Sequence, residues 1–280
     1  MNDNTETITE NMVKTGHNFL EEMCAFNADF NAFRPRVNPI TNRVEYICFQ
    51  LKKMGVPFDV DMFIARKVEE NGTNSEKYVN IYSFFKGQNT NNETIVFLAH
   101  HDVARLESEN CQDNTASVCN LLHLCGILKD KKLNKNVLVV WTDAEEIVSW
   151  TNSGAKRLSV LCNLGFFGKV TKAINLELTA NGTELWASCD ASAKLIYEIQ
   201  TEYKARRVGT PYNDSIIIED NKIESVCIGI LTPSELDIAL QRGFCATWGL
   251  CHKMEDTFDK ANAEDMKRFV ENVLLKMAEA

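Results

Sequence analysis

Side chains that commonly bind metal ions lie at the ends of several short apolar runs of this sequence. The run TIVFLA leads into His100, and the run VLVVWTDA leads into two adjacent glutamates. KAINL leads into a further glutamate, QDNTAS carries an aspartate just before a helical pattern, and CHKMEDT carries a histidine. The residues offered in this way are His100, Asp113, Glu145, Glu146, Glu177 and His252. Histidine nitrogen and carboxylate oxygen are ligands that zinc uses when one position must stay open for water or substrate.

The number of these residues matches a site for two metal ions. Pairs of zinc ions about 3.5–4 Å apart are a common hydrolytic arrangement. The minimum protein shell is one carboxylate that bridges the ions, with one histidine and one carboxylate for each ion. The predicted ligands that fill this shell are His100, Asp113, Glu146, Glu177 and His252. One carboxylate, Glu145, is left over beside a predicted ligand.

Strand-like and helical patterns alternate along the chain and must position these residues. Strands are predicted at 78–85, 94–99, 136–142, 173–178 and 225–231. Helices are predicted at about 8–26, 39–54, 116–128, 154–161 and 192–203, and at the C-terminus, where apolar residues recur from Met266 with helical spacing. This alternation predicts an α/β fold, a three-layer αβα sandwich around a mostly parallel mixed sheet. Ligands of such sheets gather at the carboxyl ends of the strands.

Length and composition favour an ordinary globular protein. The 280 residues contain no repeat, low-complexity tract or long linker, so one domain spanning 1–280 is predicted, with 1–55 as its helical N-terminal part. The formal net charge of -9 gives no support to a nucleic-acid or anionic membrane partner. The expected partner is a small substrate, and the oligomeric state stays open.

The N-terminus and the cysteines bear on the cellular compartment. The first residues, MNDNTETITENMVKTG, lack the basic and apolar regions of a signal peptide. No apolar stretch approaches the roughly 18 residues of a membrane span. The ten cysteines are scattered singly without a CxxC pair, which favours reduced thiols. A cytoplasmic location is therefore the prediction.

The five metal-binding segments resemble, in order, the motifs of a known family. AHHD resembles the H-x-D motif of the two-zinc aminopeptidase family, which also contains the glutaminyl cyclases. QDNTAS resembles its D-N-A-S segment, TDAEE its E-E pair, and INLEL its N-L-D segment. CHKMEDTFDKAN resembles its H-T-x-x-D-T ending. The likeness runs from about residue 78 to the C-terminus, and it implies the fold of a zinc-dependent exopeptidase.

The resemblance also implies a role for each residue. His100 and Glu177 would bind one zinc ion, Glu146 and His252 the other, and Asp113 would bridge the two. Asp102 would orient His100 through a hydrogen bond. Glu145 would be the general base that takes a proton from the attacking water and later gives it to the leaving amine. The implied activity is a metallo-aminopeptidase that hydrolyses the N-terminal peptide bond of a peptide or a small amino-acyl amide.

Some positions depart from the family pattern. Glu177 stands where the family usually has aspartate, and its side chain is one methylene longer. The glycines that commonly follow the E-E pair are replaced by IVSW, which ends at Trp150. His101 falls in the variable position of the first motif and is expected to line the cleft. Asp214, in YNDS, is a candidate supporting residue near the cleft.

Two other functions stay open on the sequence. One is a single-zinc acyltransferase similar to glutaminyl cyclase, which would cyclise an N-terminal glutamine instead of hydrolysing a peptide bond. The other is a binding protein without catalytic activity on the same scaffold. The preferred N-terminal residue and the physiological metal also stay open, since Co²⁺ and Mn²⁺ accept similar ligands.

Overall fold

One mixed sheet forms the centre of the computed structural model, which describes residues 15–24, 42–69, 72–88, 91–146, 153–189 and 191–280. Within these residues the sheet has eight strands in the order β1-β2-β4-β3-β5-β8-β6-β7. The strands are β1 (Asp59–Glu69), β2 (Gly72–Phe85), β3 (Glu93–His100), β4 (Asn136–Thr142), β5 (Lys169–Leu176), β6 (Glu184–Ser188), β7 (Arg206–Val208) and β8 (Ser225–Leu231).

The four central strands of the sheet are parallel. β3 pairs in parallel with β4 on one side and with β5 on the other, and β5 pairs in parallel with β8. β2 and β6 flank this block in antiparallel orientation. Every residue of β4 and β8 is buried, as expected for continuous apolar strands covered on both faces. The carboxyl ends of β3, β4 and β5 therefore meet at one edge of the sheet.

Helices cover both faces of the sheet. They are α1 (Gly16–Cys24), α2 (Arg43–Met54), α3 (Ala116–Leu128), α4 (Gly154–Asn163), α5 (Ala193–Tyr203), α6 (Asp214–Asp220), α7 (Pro233–Arg242) and α8, which begins at Ala263 and continues through a π-helical turn to Glu279. Apolar residues of α1, α2, α3, α5 and α8 share one core with the sheet. Those of α4 and α6 pack on the opposite face, and those of α7 form a third cluster with β8. The predicted three-layer α/β sandwich is confirmed.

The N-terminal helices belong to the same core as the rest of the chain. Phe19 and Leu20 of α1 and Ile47 and Leu51 of α2 are buried against the apolar face of α3. Asn42 caps α2 by accepting a hydrogen bond from the amide of Glu45 at 2.8 Å. No helix among the described residues is long and apolar enough to cross a membrane.

Most predicted elements match the structure closely. The predicted ranges 116–128, 136–142 and 225–231 coincide with α3, β4 and β8. The predicted strand 173–178 starts earlier and ends at Leu176, because Leu178 has a φ of 52° and leaves the strand. The predicted helices at 8–26 and 39–54 are observed as α1 and α2, and their remaining residues within 1–14 and 25–41 lie outside the described residues. The sequence analysis missed five elements: β1, β6, β7, α6 and α7.

Candidate metal centre

The predicted metal-binding residues come together at the carboxyl edge of the parallel strands. His100 is the last residue of β3, Glu146 follows β4, and Glu177 directly follows β5. Asp113 lies in the loop before α3, and His252 lies in the segment between α7 and α8. These five residues form two overlapping groups whose ligand atoms lie within 4.8 Å of one another, His100 with Asp113 and Glu177, and His252 with Asp113 and Glu146.

Glycine at position 229 allows Glu177 to reach this edge. The amide of Glu177 donates a hydrogen bond to the carbonyl of Ile228 at 3.0 Å, although β5 has already ended. A Cβ atom at Gly229 would lie 1.9 Å from the carbonyl oxygen of Glu177. The backbone of β8 and the segment after β5 can therefore approach each other only because residue 229 has no side chain.

Asp113 lies between the two histidines. Its Oδ1 atom is 3.2 Å from Nε2 of His100, and its Oδ2 atom is 3.2 Å from Nε2 of His252. Nε2 of His100 is also 3.6 Å from Oε2 of Glu177. Nε2 of His252 is 3.1 Å from Oε2 of Glu146. Each histidine thus faces one carboxylate of its own and one oxygen of the shared carboxylate.

The charges of the centre fit a divalent cation. Burial raises the pKa of Glu177 and raises the pKa of Glu146 to about 7, because carboxylates crowd together away from water. Contacts with Asp113 and Glu146 raise the pKa of His252 to about 10. Burial lowers the pKa of His100, but the surrounding carboxylates more than offset this effect and hold it well above its usual value. The carboxylates of the centre therefore favour positive charge at the histidines, and a metal ion is one source of such charge.

The donor set also fits zinc by its chemistry. Each group offers one imidazole nitrogen and carboxylate oxygens, a combination that zinc accepts in sites with an open position.

Asp102 is placed to orient the first histidine. It is fully buried, and its Oδ1 atom lies 3.3 Å from Nδ1 of His100. Its Oδ2 atom accepts a hydrogen bond from the amide of Glu146 at 2.8 Å. The carboxylate of Asp102 therefore contacts His100 of the first group and also fixes the backbone of Glu146, which belongs to the group of His252.

Glu145 lies beside both groups. Its carboxylate lies close to the imidazole ring of His100 and to the carboxylate of Glu146, and its side chain lines the cavity above the centre. Burial raises the pKa of Glu145 well above its ordinary value, and the neighbouring carboxylates of Asp214, Glu146 and Glu177 raise it further. The loop that follows, with Trp150, lies outside the described residues.

The expectation that His101 lines the cleft is wrong. Its side chain is fully buried, and Nε2 donates a hydrogen bond to the carbonyl of Val79 at 2.8 Å. Asp143 accepts a hydrogen bond from the amide of the same residue, also at 2.8 Å. Burial lowers the pKa of His101 to about 4, so the ring stays neutral. His100 points to the centre, whereas His101 connects the end of β3 to β2 through its hydrogen bond to Val79.

Asp214 is bound to the end of β4, and its hydrogen bonds within the described part of the chain do not include one to a predicted ligand. It is fully buried at the start of α6, and its Oδ2 atom accepts a hydrogen bond from the hydroxyl of Thr142 at 2.7 Å. Burial raises the pKa of Asp214 to about 6. Its hydrogen bond fixes the end of β4, from which the two glutamates follow.

Asp256 is a supporting residue that the sequence analysis missed. Its Oδ1 atom accepts a hydrogen bond from the amide of Gln112 at 2.8 Å, and its Oδ2 atom accepts one from the amide of Asp113 at 3.2 Å. The only signal in the sequence is its place in CHKMEDT, four residues after His252. Asp256 therefore connects the loop that carries Asp113 to the segment that carries His252.

A cavity of about 620 Å³ opens above the centre. The predicted ligands and Glu145 form one wall of this cavity. A second part of the lining, called the apolar wall below, includes Leu178, Trp186, Cys227, Phe244 and Trp248. The rings of Trp186 and Trp248 meet edge to face with centroids 5.9 Å apart.

Replacement of Asp256 by asparagine is expected to weaken zinc binding by about tenfold or more. The amide side chain would bring a donor group to two backbone amides that need acceptors, and the loop of Asp113 would shift. Zinc affinity is measured by competition with a chromophoric chelator. Asp259→Asn, at an exposed position of the same segment, is the matched control and should leave the affinity unchanged. Equal affinities for the two variants would contradict the role of Asp256.

Comparison with known proteins agrees with this geometry. The model of peptidase family M28 matches residues 80–277. No curated protein sequence matches the chain. Among solved structures, a glutaminyl cyclase of Fimbriiglobus ruber has a TM-score of 0.73 at 16% identity, covering 96% of this chain and 95% of its own.

Two exopeptidases are similar in the same way. A Zn-dependent exopeptidase of Parabacteroides distasonis has a TM-score of 0.70 at 16% identity and covers 95% of this chain and 97% of its own. A leucine aminopeptidase precursor of Bacteroides thetaiotaomicron has a TM-score of 0.70 at 15% identity and covers 93% of this chain and 94% of its own. At these identities the likeness shows the shared fold. Since the family model covers well over half of the sequence, the chain belongs to peptidase family M28.

Proposed function

We propose that this protein is a zinc-dependent aminopeptidase that hydrolyses the N-terminal peptide bond of a peptide or of a small amino-acyl amide. The observation that carries the proposal is the position of Asp113, with one carboxylate oxygen 3.2 Å from each histidine. A carboxylate held in this way suits a bridge between two metal ions.

Two zinc ions are proposed for each chain. His100 and Glu177 would hold one ion, and Glu146 and His252 would hold the other. Asp113 would contribute one oxygen to each ion. The added methylene of Glu177 does not keep its carboxylate from the centre, since Oε2 lies 3.6 Å from Nε2 of His100. When bound, zinc supplies Lewis acidity, which polarises the scissile carbonyl and lowers the pKa of water.

Glu145 is the proposed general base. Its raised pKa suits a carboxylate that must accept a proton and give it back near neutral pH. In the forward step the carboxylate of Glu145 takes a proton from water while the water oxygen bonds to the scissile carbonyl carbon. The same proton then passes to the leaving nitrogen as the carbon–nitrogen bond breaks. The products are a free amino acid and a shortened peptide.

The two walls of the cavity support action on a free N-terminus. Carboxylate oxygens of the centre that are not bound to metal would accept hydrogen bonds from the α-amine of a substrate. The apolar wall formed by Trp186, Phe244 and Trp248 would receive the first side chain. A substrate bound in this way would present its first peptide bond to Glu145.

Glutaminyl cyclase activity is the second candidate function. It is supported by the fold shared with the glutaminyl cyclase of Fimbriiglobus ruber, and the group of Asp113, Glu146 and His252 would suffice for one zinc ion. A peptide with N-terminal glutamine separates the candidates. Hydrolysis releases free glutamine, whereas cyclisation releases ammonia and leaves a pyroglutamyl peptide of the same length.

A binding protein without catalytic activity is less well supported by the site. Such a protein has no need of a carboxylate beside the ligands, yet Glu145 lies there with a raised pKa and faces the cavity.

Replacement of Glu145 by glutamine is expected to lower kcat for amino-acyl amide hydrolysis by about 10²–10⁴-fold, because the amide cannot accept the proton of water. The variant should keep the zinc content of the original protein, which elemental mass spectrometry measures. Glu107→Gln, at an exposed position, is the control and should keep full activity. An unchanged rate in Glu145→Gln would rule out the proposed role of this residue.

Substrates with large apolar N-terminal side chains are expected to be hydrolysed best. A charged side chain would lose its hydration against Trp186 and Trp248, so kcat/KM for aspartyl or lysyl amides should be at least about tenfold below that for leucyl or phenylalanyl amides. A panel of amino-acyl amides that differ only in this side chain provides the measurement. Similar kcat/KM values across the panel would show that the apolar wall does not receive the first side chain.

A further inference from the structure

A buried arginine contacts the loop that carries Asp113 and takes no part in the proposed mechanism. Arg43 begins α2 and is only 3% exposed. Its Nη1 atom donates a hydrogen bond to Oγ1 of Thr115 at 2.8 Å. Its Nε and Nη2 atoms have no hydrogen-bond partner in the part of the chain that the structure describes. Of the three guanidinium nitrogens, only Nη1 therefore has a hydrogen-bond partner among the described residues.

The contact with Thr115 brings the guanidinium to the loop of the shared carboxylate. Thr115 lies two residues after Asp113, and its hydroxyl donates a hydrogen bond to the carbonyl of Glu109 at 3.1 Å. The carboxylates that act on the charge of Arg43 are those of Asp102 and Asp113, and the thiols of Cys24 and Cys119 also face it. Arginine stays protonated in proteins, so a permanent positive charge lies beside this loop.

The centre holds an excess of carboxylates over basic groups. Two histidines, His100 and His252, lie among the carboxylates of Asp102, Asp113, Asp143, Glu145, Glu146, Glu177, Asp214 and Asp256. Carboxylates at low exposure repel one another and need a positive charge nearby to remain ionised. Arg43 is buried and does not line the cavity, and it supplies such a charge without occupying a ligand position.

We propose that Arg43 is the buried countercharge of the metal centre, which stabilises the metal-free form and thereby weakens zinc binding. This inference rests on the proposed zinc site. Each zinc ion brings two positive charges to the centre, so the loaded centre is more positive than the metal-free one. Arg43 is attracted by the acidic metal-free centre and is attracted less, or repelled, by the loaded one.

The test compares a neutral and a charged replacement of Arg43. Arg43→Met removes the charge and keeps an unbranched side chain, and apolar replacement of a buried charge is often tolerated by the fold. Arg43→Lys keeps the charge and changes the hydrogen-bonding geometry. Zinc dissociation constants are measured at pH 8 by competition with a chromophoric chelator. Circular dichroism of each metal-free protein checks that it is folded.

The expected result is that Arg43→Met binds zinc about tenfold more tightly than the original protein. Arg43→Lys should stay within about threefold of the original protein, because the charge is retained. A residue that only supports the fold would weaken zinc binding in both variants. Weaker or unchanged binding in Arg43→Met overturns the proposal, and so does equal tightening in both variants.

Two further outcomes are distinguishable. If the original protein binds no zinc, the proposed metal centre fails, whereas normal binding with no effect of Arg43→Met removes only the role of Arg43. If Arg43→Met does not fold, Arg43→Gln provides a second neutral variant with the same expected tightening. If neither neutral variant folds while Arg43→Lys does, the charge serves the fold, and its proposed role in zinc affinity is overturned.

Discussion

The metal centre brings carboxylates into contact at low solvent exposure, and each must be neutralised by a proton, a cation or a hydrogen-bond donor. Without metal, protons on His100 and His252 supply part of this charge, as the raised pKa values of both rings indicate. Hydrogen bonds from backbone amides supply another part, notably at Asp102 and Asp256. Divalent cations would supply the rest. The repulsion among these carboxylates and the affinity of the site for metal are therefore linked: the cation that the site binds also offsets the repulsion.

The sheet provides the rigid part of this arrangement. Three adjacent parallel strands end together, so the segments that carry His100, Glu146 and Glu177 begin at one edge of the sheet. Asp113 and His252 come from loops and need further fastening. Asp256 ties one loop to the other, and Asp102 links His100 to the segment of Glu146. The proposed zinc site would therefore depend on Asp102 and Asp256, two buried carboxylates that accept hydrogen bonds from backbone amides.

Residues whose positions follow from strand ends were predictable from the sequence. His100, Glu146 and Glu177 follow apolar runs whose periodicity is easily recognised, and the order of the motifs added Asp113 and His252. Arg43 was not predictable, because its role arises from a contact between segments that are distant in the sequence. The motif CHKMEDT contains Asp256, but the hydrogen bonds of Asp256 to the distant loop of Asp113 could not be predicted from it.

The missed elements have similar physical causes. β6 and β7 are short, and β1 pairs along only one edge, so none of them has the continuous apolar pattern of a central strand. The position of His101 was mispredicted because successive residues at a strand end point to opposite faces of the sheet.

The number of zinc ions per chain tests the central claim most directly. Elemental mass spectrometry on protein purified without chelators or an affinity metal gives this number for the original chain. Two equivalents of zinc are expected, because each histidine has its own carboxylate and shares Asp113. One equivalent would contradict the two-metal centre and favour the single-zinc cyclase chemistry. No zinc, even after zinc is added back, would contradict the metal centre altogether.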